Sequence, residues 1–276
     1  MKSLFLSLFS LFIAFSVKAQ HVDSITFCKQ VWQEQHVKKG IVWKQTHFQH
    51  LFGGEQEINL IEIDLRRHLK NLRLAGLSIG TKLSSSFAQE KNAIVASNGG
   101  FFNTKIGGAH DFIKINGTVV NVSSNKHPRA NAYLAFDKRT IQIIPQTKDS
   151  LRETALDNVL LSGPLLLDDG LRINIKNDKF NRNKHPRTAI ALKDHTLILL
   201  TVDGRNKKSH GLSLHELSQL LAWYDCDKAM NLDGGGSTTL YIKGQPDDGI
   251  VNYPSDNKTF DHQGERPVAN IIYIKD

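Results

Sequence analysis

Two aspartates each follow an apolar run and each precede a glycine. Asp203 follows LILLTV in LILLTVDGR, and Asp233 follows AMNL in AMNLDGGGS. Cleavage of a glycosidic bond generally uses two carboxyl groups, one to protonate the leaving oxygen and one to act on the anomeric carbon or on water. Asp-Gly is also common in turns, so each aspartate could have a structural role in a turn instead of a catalytic one.

Three consecutive glycines, 234–236, come directly after Asp233 and before Ser237. Adjacent glycines weaken helices and strands, so we expect another group to approach this backbone closely. Backbone N–H groups of a glycine-rich loop can bind phosphate. The segment is not a P-loop, because it lacks the Gly-Lys-Ser/Thr ending and the following helix. It also lacks the second glycine of a serine-hydrolase elbow.

Metal signatures are weak in this sequence. It contains no HExxH motif and no EF-hand loop, and His47 and His50 form only an isolated pair typical of a surface. We therefore expect no metal and no cofactor, although acidic loops leave Ca²⁺ possible.

A repeated short motif places arginines at the predicted starts of strands. NKHPRANAYLAF and NKHPRTAIAL share His-Pro-Arg, and ERPVANIIYI is a looser copy, so Arg129, Arg187 and Arg266 each precede a strand. Proline fits the first position of a strand, which offers a structural explanation. Arg187 is the strongest functional candidate of the three.

Seven motifs in this order resemble the phosphodiester glycosidase family: NGGFF, SGPLLL, HPRTAIA, TVDGR, GLSLHELSQLL, NLDGGGSTTL and RPVAN. The likeness runs from roughly Ile41 to Ile274. It implies hydrolysis of a sugar-1-phosphodiester, of N-acetylglucosamine type, at the glycosidic C–O bond, with release of sugar and a phosphomonoester. It also implies an α/β fold with mixed sheets. The residues it assigns to substrate or phosphate binding are Asn98, Gly99, Gly100, Arg187, Thr188, Arg205, Asn231, Gly234, Gly235, Gly236 and Ser237.

The catalytic residues expected from this resemblance are Asp233, Asp203 and Glu216. We expect Asp233 to activate water or attack the anomeric carbon, and Asp203 to be the second carboxylate. Glu216 has an alternative role, because Ser213 three residues earlier completes a helix capping box. Arg187 and Arg205 would hold the phosphodiester, since guanidinium groups suit phosphate, and Asn98 would contact the sugar.

Two other functions remain open at this point. The chain could be a non-catalytic exported module that binds anionic glycans, which would need the arginines but not the aspartates. It could also be a phosphodiesterase that cuts the P–O bond, usually with metal help.

The N-terminal residues MKSLFLSLFSLFIAFSVKAQ have the order of a secretory signal peptide, predicted over 1–19. The remaining 20–276 would form one exported catalytic domain, periplasmic or extracellular, with no later transmembrane segment. Net charge is +8, which suits an anionic partner such as a phosphorylated glycan. The basic residues are scattered, so nucleic acid is not expected. Cys28 and Cys226 could form one disulfide or remain two thiols.

Strand signals dominate the predicted elements. INLIEIDL alternates as a strand, and four further segments read as hairpins that turn at Asn116-Gly117, Asp137-Lys138, Asp169-Gly170 and Lys193-Asp194. The last strand is predicted over Val268 to Ile274. Helices are predicted after Ser213 and around Ile25 to Gln35 and Ser84 to Lys91. The sum is a single α/β (α+β) domain with mixed, hairpin-rich sheets and a few packed helices.

Overall fold

The computed structural model describes residues 22–122, 129–146 and 155–276. The predicted signal peptide lies outside these ranges. The described residues form an α+β domain, as predicted. It has three sheets, and their strand pairings are antiparallel rather than mixed. Among the described residues, no helix has the length and apolar character needed to cross a membrane.

The largest sheet has eight strands in the order β1-β2-β3-β14-β13-β15-β11-β12. Their bounds are β1 Gln33–Lys38, β2 Ile41–Leu51, β3 Gly54–Asp64, β11 Leu165–Asp168, β12 Leu171–Arg172, β13 Arg187–Lys193, β14 Thr196–Val202 and β15 Lys228–Asn231.

Two smaller sheets complete the described strands. The five-stranded sheet, in the order β7-β6-β10-β8-β9, consists of β6 Ile113–Ile115, β7 Thr118–Asn121, β8 Ala132–Phe136, β9 Ile141–Pro145 and β10 Asn158–Ser162. The four-stranded sheet, in the order β16-β5-β17-β4, consists of β4 Leu72–Gly76, β5 Ala93–Asn98, β16 Leu240–Ile242 and β17 Asn270–Lys275.

The described helices are short. They are α1 over 22–29, α2 Leu65–His68, α3 Ser84–Glu90, α4 Lys179–Arg182 and α5 Leu214–Trp223, with 3₁₀ turns at Leu69–Asn71, Gly235–Ser237 and Asp247–Gly249. The helix predicted to reach Gln35 ends at residue 29, because the polar segment of β1 pairs instead with the edge of β2. Edge pairing here outweighs local helix propensity.

The hairpin turns follow from local turn chemistry. Asn116 and Gly117 have φ values of 49° and 82°, and Asp169 and Gly170 have 49° and 74°. Two successive positive φ values are typical of the type I′ turns that Asn-Gly and Asp-Gly favour. The hairpins β6-β7 and β11-β12 therefore form where the sequence predicts them.

The eight-stranded sheet has an apolar core on each face. Ile190 and Leu199 belong to the core shared with the two smaller sheets. Ala189 and Leu200 belong to the core that α5 covers through residues such as Leu217. Side chains alternate between the two faces along a strand, so the first two residues of β13, Arg187 and Thr188, point into different environments.

The two cysteines are free thiols. Cys28 is exposed and Cys226 is buried. Of the two states that the sequence leaves open, the structure has two separate thiols.

Candidate active site

The loops after β14 and β15 meet at Pro186, directly before β13, the strand between them. A Cβ added to Gly204 would lie 2.8 Å from the Pro186 nitrogen, and one added to Gly234 would lie 2.8 Å from the Pro186 oxygen. The Gly235 amide also donates to that oxygen at 2.9 Å. The structure thus brings the Asp203 and Asp233 loops side by side.

Asp233 is a half-buried carboxyl group at the start of the glycine loop. Its Oδ1 accepts from the Gly234 amide at 3.0 Å, and its own amide donates to the Gly99 carbonyl at 3.0 Å. Burial raises the pKa of Asp233 to about 6, against the opposing effects of the Ser237 hydroxyl, the Gly234 amide and the Arg266 charge. Asp233 is therefore a carboxylate above that pH.

Asn98, at the end of β5, holds the Asp233 backbone. Its Nδ2 donates to the Asp233 carbonyl at 2.6 Å, while its Oδ1 accepts from Thr188 Oγ1 at 2.8 Å and from the Thr239 amide at 3.1 Å. The Asn98 side chain is 0 % exposed. This geometry supports a positioning role for Asn98 and Thr188, rather than the direct sugar contact expected of Asn98.

Gly99 and Gly100 both contact Asn270, a residue that sequence reasoning missed. The Gly100 amide donates to Asn270 Oδ1 at 2.7 Å. A Cβ on Gly99 would lie 2.2 Å from the same oxygen. Gly99 therefore leaves room for the Asn270 side chain, whereas a Cβ on Gly100 would meet Leu160, Leu161 and Ser162. The RPVAN motif, which ends at Asn270, was the available signal.

Asn231 and Ser237 are buried on either side of Asp233. Asn231 Nδ2 donates to the Gly163 carbonyl at 2.9 Å, which ties the end of β15 to a neighbouring loop. Ser237 is 0 % exposed and its hydroxyl acts on the pKa of Asp233. Neither side chain is open to solvent in this structure.

Asp203 is more deeply buried than Asp233, at 0 % exposure. Its Oδ1 accepts from Asn252 Nδ2 at 2.8 Å, and its Oδ2 has no partner among the described residues. Burial raises the pKa of Asp203 to about 7, against hydrogen bonds from Asn252 and the Tyr253 amide, while nearby Glu57 adds to the rise. No sequence motif pointed to Asn252.

Arg187 lies on the opposite face of the sheet from Thr188. Its Nε donates to the Leu212 carbonyl at 2.8 Å, and its Nη2 donates to the carbonyls of Asn183 at 2.9 Å and Phe180 at 3.1 Å. The residue is 1 % exposed, and burial lowers its pKa to about 9. These contacts give the Arg187 side chain a structural role, so the expected phosphate clamp finds no support at this position.

Glu216 is on the same face as Arg187, at the first turn of α5. Its Oε2 accepts from the Ser213 amide at 2.8 Å, and its amide donates to Ser213 Oγ at 3.2 Å. This reciprocal pair is the predicted capping box. Lys184 is 3.4 Å from the Glu216 carboxylate. The geometry therefore separates Glu216 from the Asp233 loop and does not support a catalytic role.

Two other arginines occupy the space beside the glycine loop. A Cβ on Gly235 would lie 2.7 Å from Arg205 Nη2, and a Cβ on Gly236 would lie 2.5 Å from Arg266 Nη2. The groups that approach this backbone closely are thus side chains of the same chain, namely the two guanidinium groups and, at Gly236, the Asp256 carboxylate. We call this arrangement, formed by Gly235, Gly236, Arg205 and Arg266, the arginine recess.

The two arginines of the recess differ in their partners. Arg266 forms a bidentate ion pair with Asp256: its Nε donates to Oδ2 at 3.0 Å and its Nη2 donates to Oδ1 at 2.5 Å. Arg205 is exposed, and its Nη1 makes a long contact of 3.5 Å with Ser255 Oγ. Burial and the neighbouring Arg266 charge lower the pKa of Arg205. Arg205 therefore has donors available for an anion, and Arg266 adds positive charge behind it.

The glycine loop offers fewer free N–H donors for an anion than the sequence indicated. The Gly234 amide donates to Asp233 Oδ1, and the Gly235 amide donates to Pro186. Two of the three glycine N–H groups are therefore used within the protein. Across residues 22–122, 129–146 and 155–276, no group of three or more His, Cys, Asp or Glu side chains is placed to hold a metal ion.

The sequence model of a family described as phosphodiester glycosidase matches residues 91–275. The chain belongs to the phosphodiester glycosidase family. The match runs from β5 to β17, so it includes Asn98, both aspartate loops and the arginine recess. The family resemblance noted in the seven motifs is confirmed.

Curated relatives of this chain match over short stretches. The SPbeta prophage-derived protein YomE of Bacillus subtilis is 35 % identical over 106 residues, which are 32 % of this chain and 16 % of that protein. The N-acetylglucosamine-1-phosphodiester alpha-N-acetylglucosaminidase of Mus musculus is 38 % identical over 80 residues, 29 % of this chain and 14 % of that enzyme. The matched stretches are thus under one fifth of either relative.

A solved structure matches over almost the whole chain. The catalytic domain of the zebrafish N-acetylglucosamine-1-phosphodiester alpha-N-acetylglucosaminidase gives a TM-score of 0.68 at 20 % identity, covering 90 % of this chain and 84 % of that one. At this identity the likeness shows that the two proteins share a fold.

Proposed function

We propose that this phosphodiester glycosidase hydrolyses a sugar-1-phosphodiester at the glycosidic C–O bond and releases the sugar and a phosphomonoester. One observation carries the proposal: the half-buried Asp233 carboxyl stands beside two arginines that fill the arginine recess. A sugar of N-acetylglucosamine type is proposed because the murine relative carries that substrate in its name. The natural partner would be a phosphorylated glycan, met after export.

The leaving group determines what the site must supply. A phosphomonoester has a second pKa of about 6, so it departs near neutral pH without strong protonation. Its negative charge needs electrostatic stabilisation instead. In this proposal Arg205 binds the phosphate directly, and Arg266, fixed by Asp256, contributes charge from behind.

Asp233 is the proposed catalytic carboxylate. Its side chain is half-buried at the start of the glycine loop, beside the arginine recess. It would attack the anomeric carbon or activate the water that does so. The hydrogen bond from Asn98 to the Asp233 carbonyl fixes the backbone that carries this group.

Asp203 is proposed as a positioning residue rather than a group that touches substrate. It is 0 % exposed, and its Oδ1 accepts a hydrogen bond from the Asn252 side chain. Its neutral form at mildly acidic pH avoids a buried charge beside Glu57. No metal or other cofactor is part of the proposal.

The direct test is product analysis with an N-acetylglucosamine-1-phosphodiester, with and without chelator. The expected products are free sugar and a phosphomonoester at a rate that the chelator leaves unchanged. Formation of sugar-1-phosphate would instead identify P–O cleavage. Measurable binding without any product would favour the glycan-binding module.

Replacing Arg205 by alanine should reduce kcat/KM by about 10- to 100-fold, because charge-assisted hydrogen bonds contribute about 1.5–3 kcal/mol each. Steady-state kinetics on the same diester measure this. Lys207, exposed on the same loop, gives the matched control, since Lys207→Ala removes one positive charge without touching the arginine recess. Equal losses in both variants would contradict a specific clamp and indicate a general charge effect.

Replacing Glu216 by alanine should lower the free energy of unfolding by about 1 kcal/mol and leave kcat near the wild-type value. The physical reason is that the capping box satisfies helix N-terminal amides at about 0.5–2 kcal/mol. Chemical denaturation and kinetics on one preparation measure both quantities. A kcat loss beyond tenfold with normal stability would restore Glu216 as a catalytic candidate.

A further inference from the structure

A cleft of about 500 Å³ lies at the end of the eight-stranded sheet opposite the aspartate loops. Sites for ligands usually measure about 300–1,000 Å³. The start of α2 meets the β13-β14 turn here, because the Leu65 amide donates to the His195 carbonyl at 2.8 Å. β14 begins directly after His195 and ends directly before Asp203. A strand of that length spans roughly 20 Å, so the cleft is separate from the proposed catalytic region.

Five basic side chains line this cleft, and they come from two separate segments of the chain. Arg66, Arg67 and Lys70 belong to α2 and to the 3₁₀ turn that follows it, and Lys138 and Arg139 belong to the turn between β8 and β9. All five are exposed. A ligand that fills the cleft would therefore meet positive charge from both segments.

Acidic groups near the cleft neutralise only part of this charge. Asp64 lies 3.0 Å from Arg66 and 3.5 Å from Arg67. Asp137, in the β8-β9 turn, and Asp194, on the lining, are the other nearby carboxylates of the described residues. Five cations against three carboxylates leave an excess of two positive charges. The cleft thus suits an anionic ligand.

The basic side chains of the β8-β9 turn are available to such a ligand. The turn itself is held by Asp137, whose Oδ1 accepts from the Arg139 amide at 2.7 Å and from the Thr140 amide at 2.9 Å. Within the ranges that the structure describes, the charged groups of Lys138 and Arg139 make no ion pair or hydrogen bond to protein. Their replacement should therefore leave the turn intact.

The uncharged lining indicates what carries the anionic groups. Leu65, Leu69 and Ile141 are half-buried and pack against the core, and Thr140 and His195 add a hydroxyl group and an imidazole. Sugar rings combine C–H faces with hydroxyl edges, which match these two kinds of side chain. The described lining has no Phe, Tyr or Trp on which the bases of a nucleic acid would stack. A flat bilayer would meet the rims of a concave cleft and not its lining.

We propose that this basic cleft, lined by Arg66, Arg67, Lys70, Lys138 and Arg139, binds a segment of an acidic polysaccharide. The guanidinium and ammonium groups bind its phosphate, sulfate or carboxylate substituents, and the aliphatic lining contacts the sugar rings between them. Such binding holds the domain on an anionic glycan while the aspartate loops stay open to substrate. It is independent of the proposed catalysis, because the two sites are at opposite ends of β14.

Fluorescence anisotropy with labelled dextran sulfate, at low and at raised salt, tests the basic cleft. Lys138→Gln combined with Arg139→Gln should weaken binding at low salt by about tenfold or more, because two charge-assisted contacts are lost. Lys29→Gln combined with Lys91→Gln is the matched control, since both lysines are exposed away from the cleft. This control should weaken binding by about twofold or less. Added salt should weaken wild-type binding, and neutral dextran of equal length should not bind.

The other outcomes would overturn the polysaccharide site. Equal losses in the two paired variants, with circular dichroism showing both folded, would indicate a general charge effect. A larger loss with Arg205→Ala would place the polymer at the arginine recess. Tighter binding of single-stranded DNA or of phosphatidylglycerol vesicles than of dextran sulfate, if the Lys138 and Arg139 variant removes it, would assign the cleft to a different partner. None of these results bears on the diester assay, so the proposed function is judged separately.

Discussion

Replacing Asp233 by asparagine should lower kcat by about 10³-fold or more while the protein stays folded. The amide keeps an oxygen that can accept from the Gly234 amide, as Oδ1 does at 3.0 Å, but it has no charge with which to attack carbon or accept a proton. Loss of a group that acts in the transition state lowers kcat and kcat/KM together. Kinetics on the N-acetylglucosamine diester, with circular dichroism for the fold, measure the two parts.

The pH profile gives the Asp233 prediction a second readout. Burial raises the pKa of Asp233 to about 6, and the active form is the carboxylate, so wild-type activity should fall as pH drops through about 6. Any residual activity of the variant should lack this acidic limb. Asp225→Asn is the matched control, because the Asp225 side chain is 83 % exposed. Residual activity above a few per cent with an unchanged acidic limb would remove Asp233 from its assigned role.

The second large effect is expected on stability, from Asp203→Asn. Burial raises the pKa of Asp203 from 3.8 to about 7, so folding favours the protonated carboxyl. The stabilisation that the raised pKa of Asp203 gives the wild type should be present in full below about pH 4. It should be lost as pH rises to about 7. At about 1.4 kcal/mol per pKa unit the loss is roughly 4 kcal/mol. Asparagine does not titrate, so the variant should become relatively more stable as pH rises.

Urea denaturation of both proteins at pH 4, 6 and 8 measures the Asp203 effect. The difference in the free energy of unfolding, variant minus wild type, should grow by a few kcal/mol from pH 4 to pH 8. Asp233, whose pKa is raised in the same direction, contributes equally to the pH dependence of both proteins, so its contribution cancels in this difference. Curves that stay parallel from pH 4 to pH 8 would show that Asp203 is ionised in the folded protein at low pH.

Local chemistry made much of this fold predictable from sequence. The Asn116-Gly117 and Asp169-Gly170 turns form where expected, because their positive φ values belong to the turn residues themselves. The Ser213 and Glu216 capping box is equally local, since its hydrogen bonds span three residues. The pairing of β1 with β2 was not predictable in this way, because it depends on a free sheet edge.

The meeting of the two aspartate loops was predictable from the strand order, and the directions of the side chains around them were less so. The aspartate loops meet because β14 and β15 both border β13. The direction of Arg187 depends instead on strand alternation and on which face α5 covers, and those follow from packing across the whole domain. Asn252 and Asn270 act through contacts with residues distant in the chain, so no short motif predicts their roles. The roles of the site residues in catalysis stay predictions.

The arginine recess has a consequence for how this sequence can vary. The volume that a side chain at position 236 would need is occupied by Arg266 and Asp256, and the volume at position 235 by Arg205. Gly236 therefore forms one unit with the ion pair of Asp256 and Arg266, although 20 and 30 residues separate them along the chain. A library that randomises positions 236, 256 and 266 should recover alanine or serine at 236 mainly together with smaller residues at 256 and 266. At 235 the φ of 66° favours glycine whatever residue stands at 205. Retention of the two arginines at this site thus depends on two residues that carry no side chain.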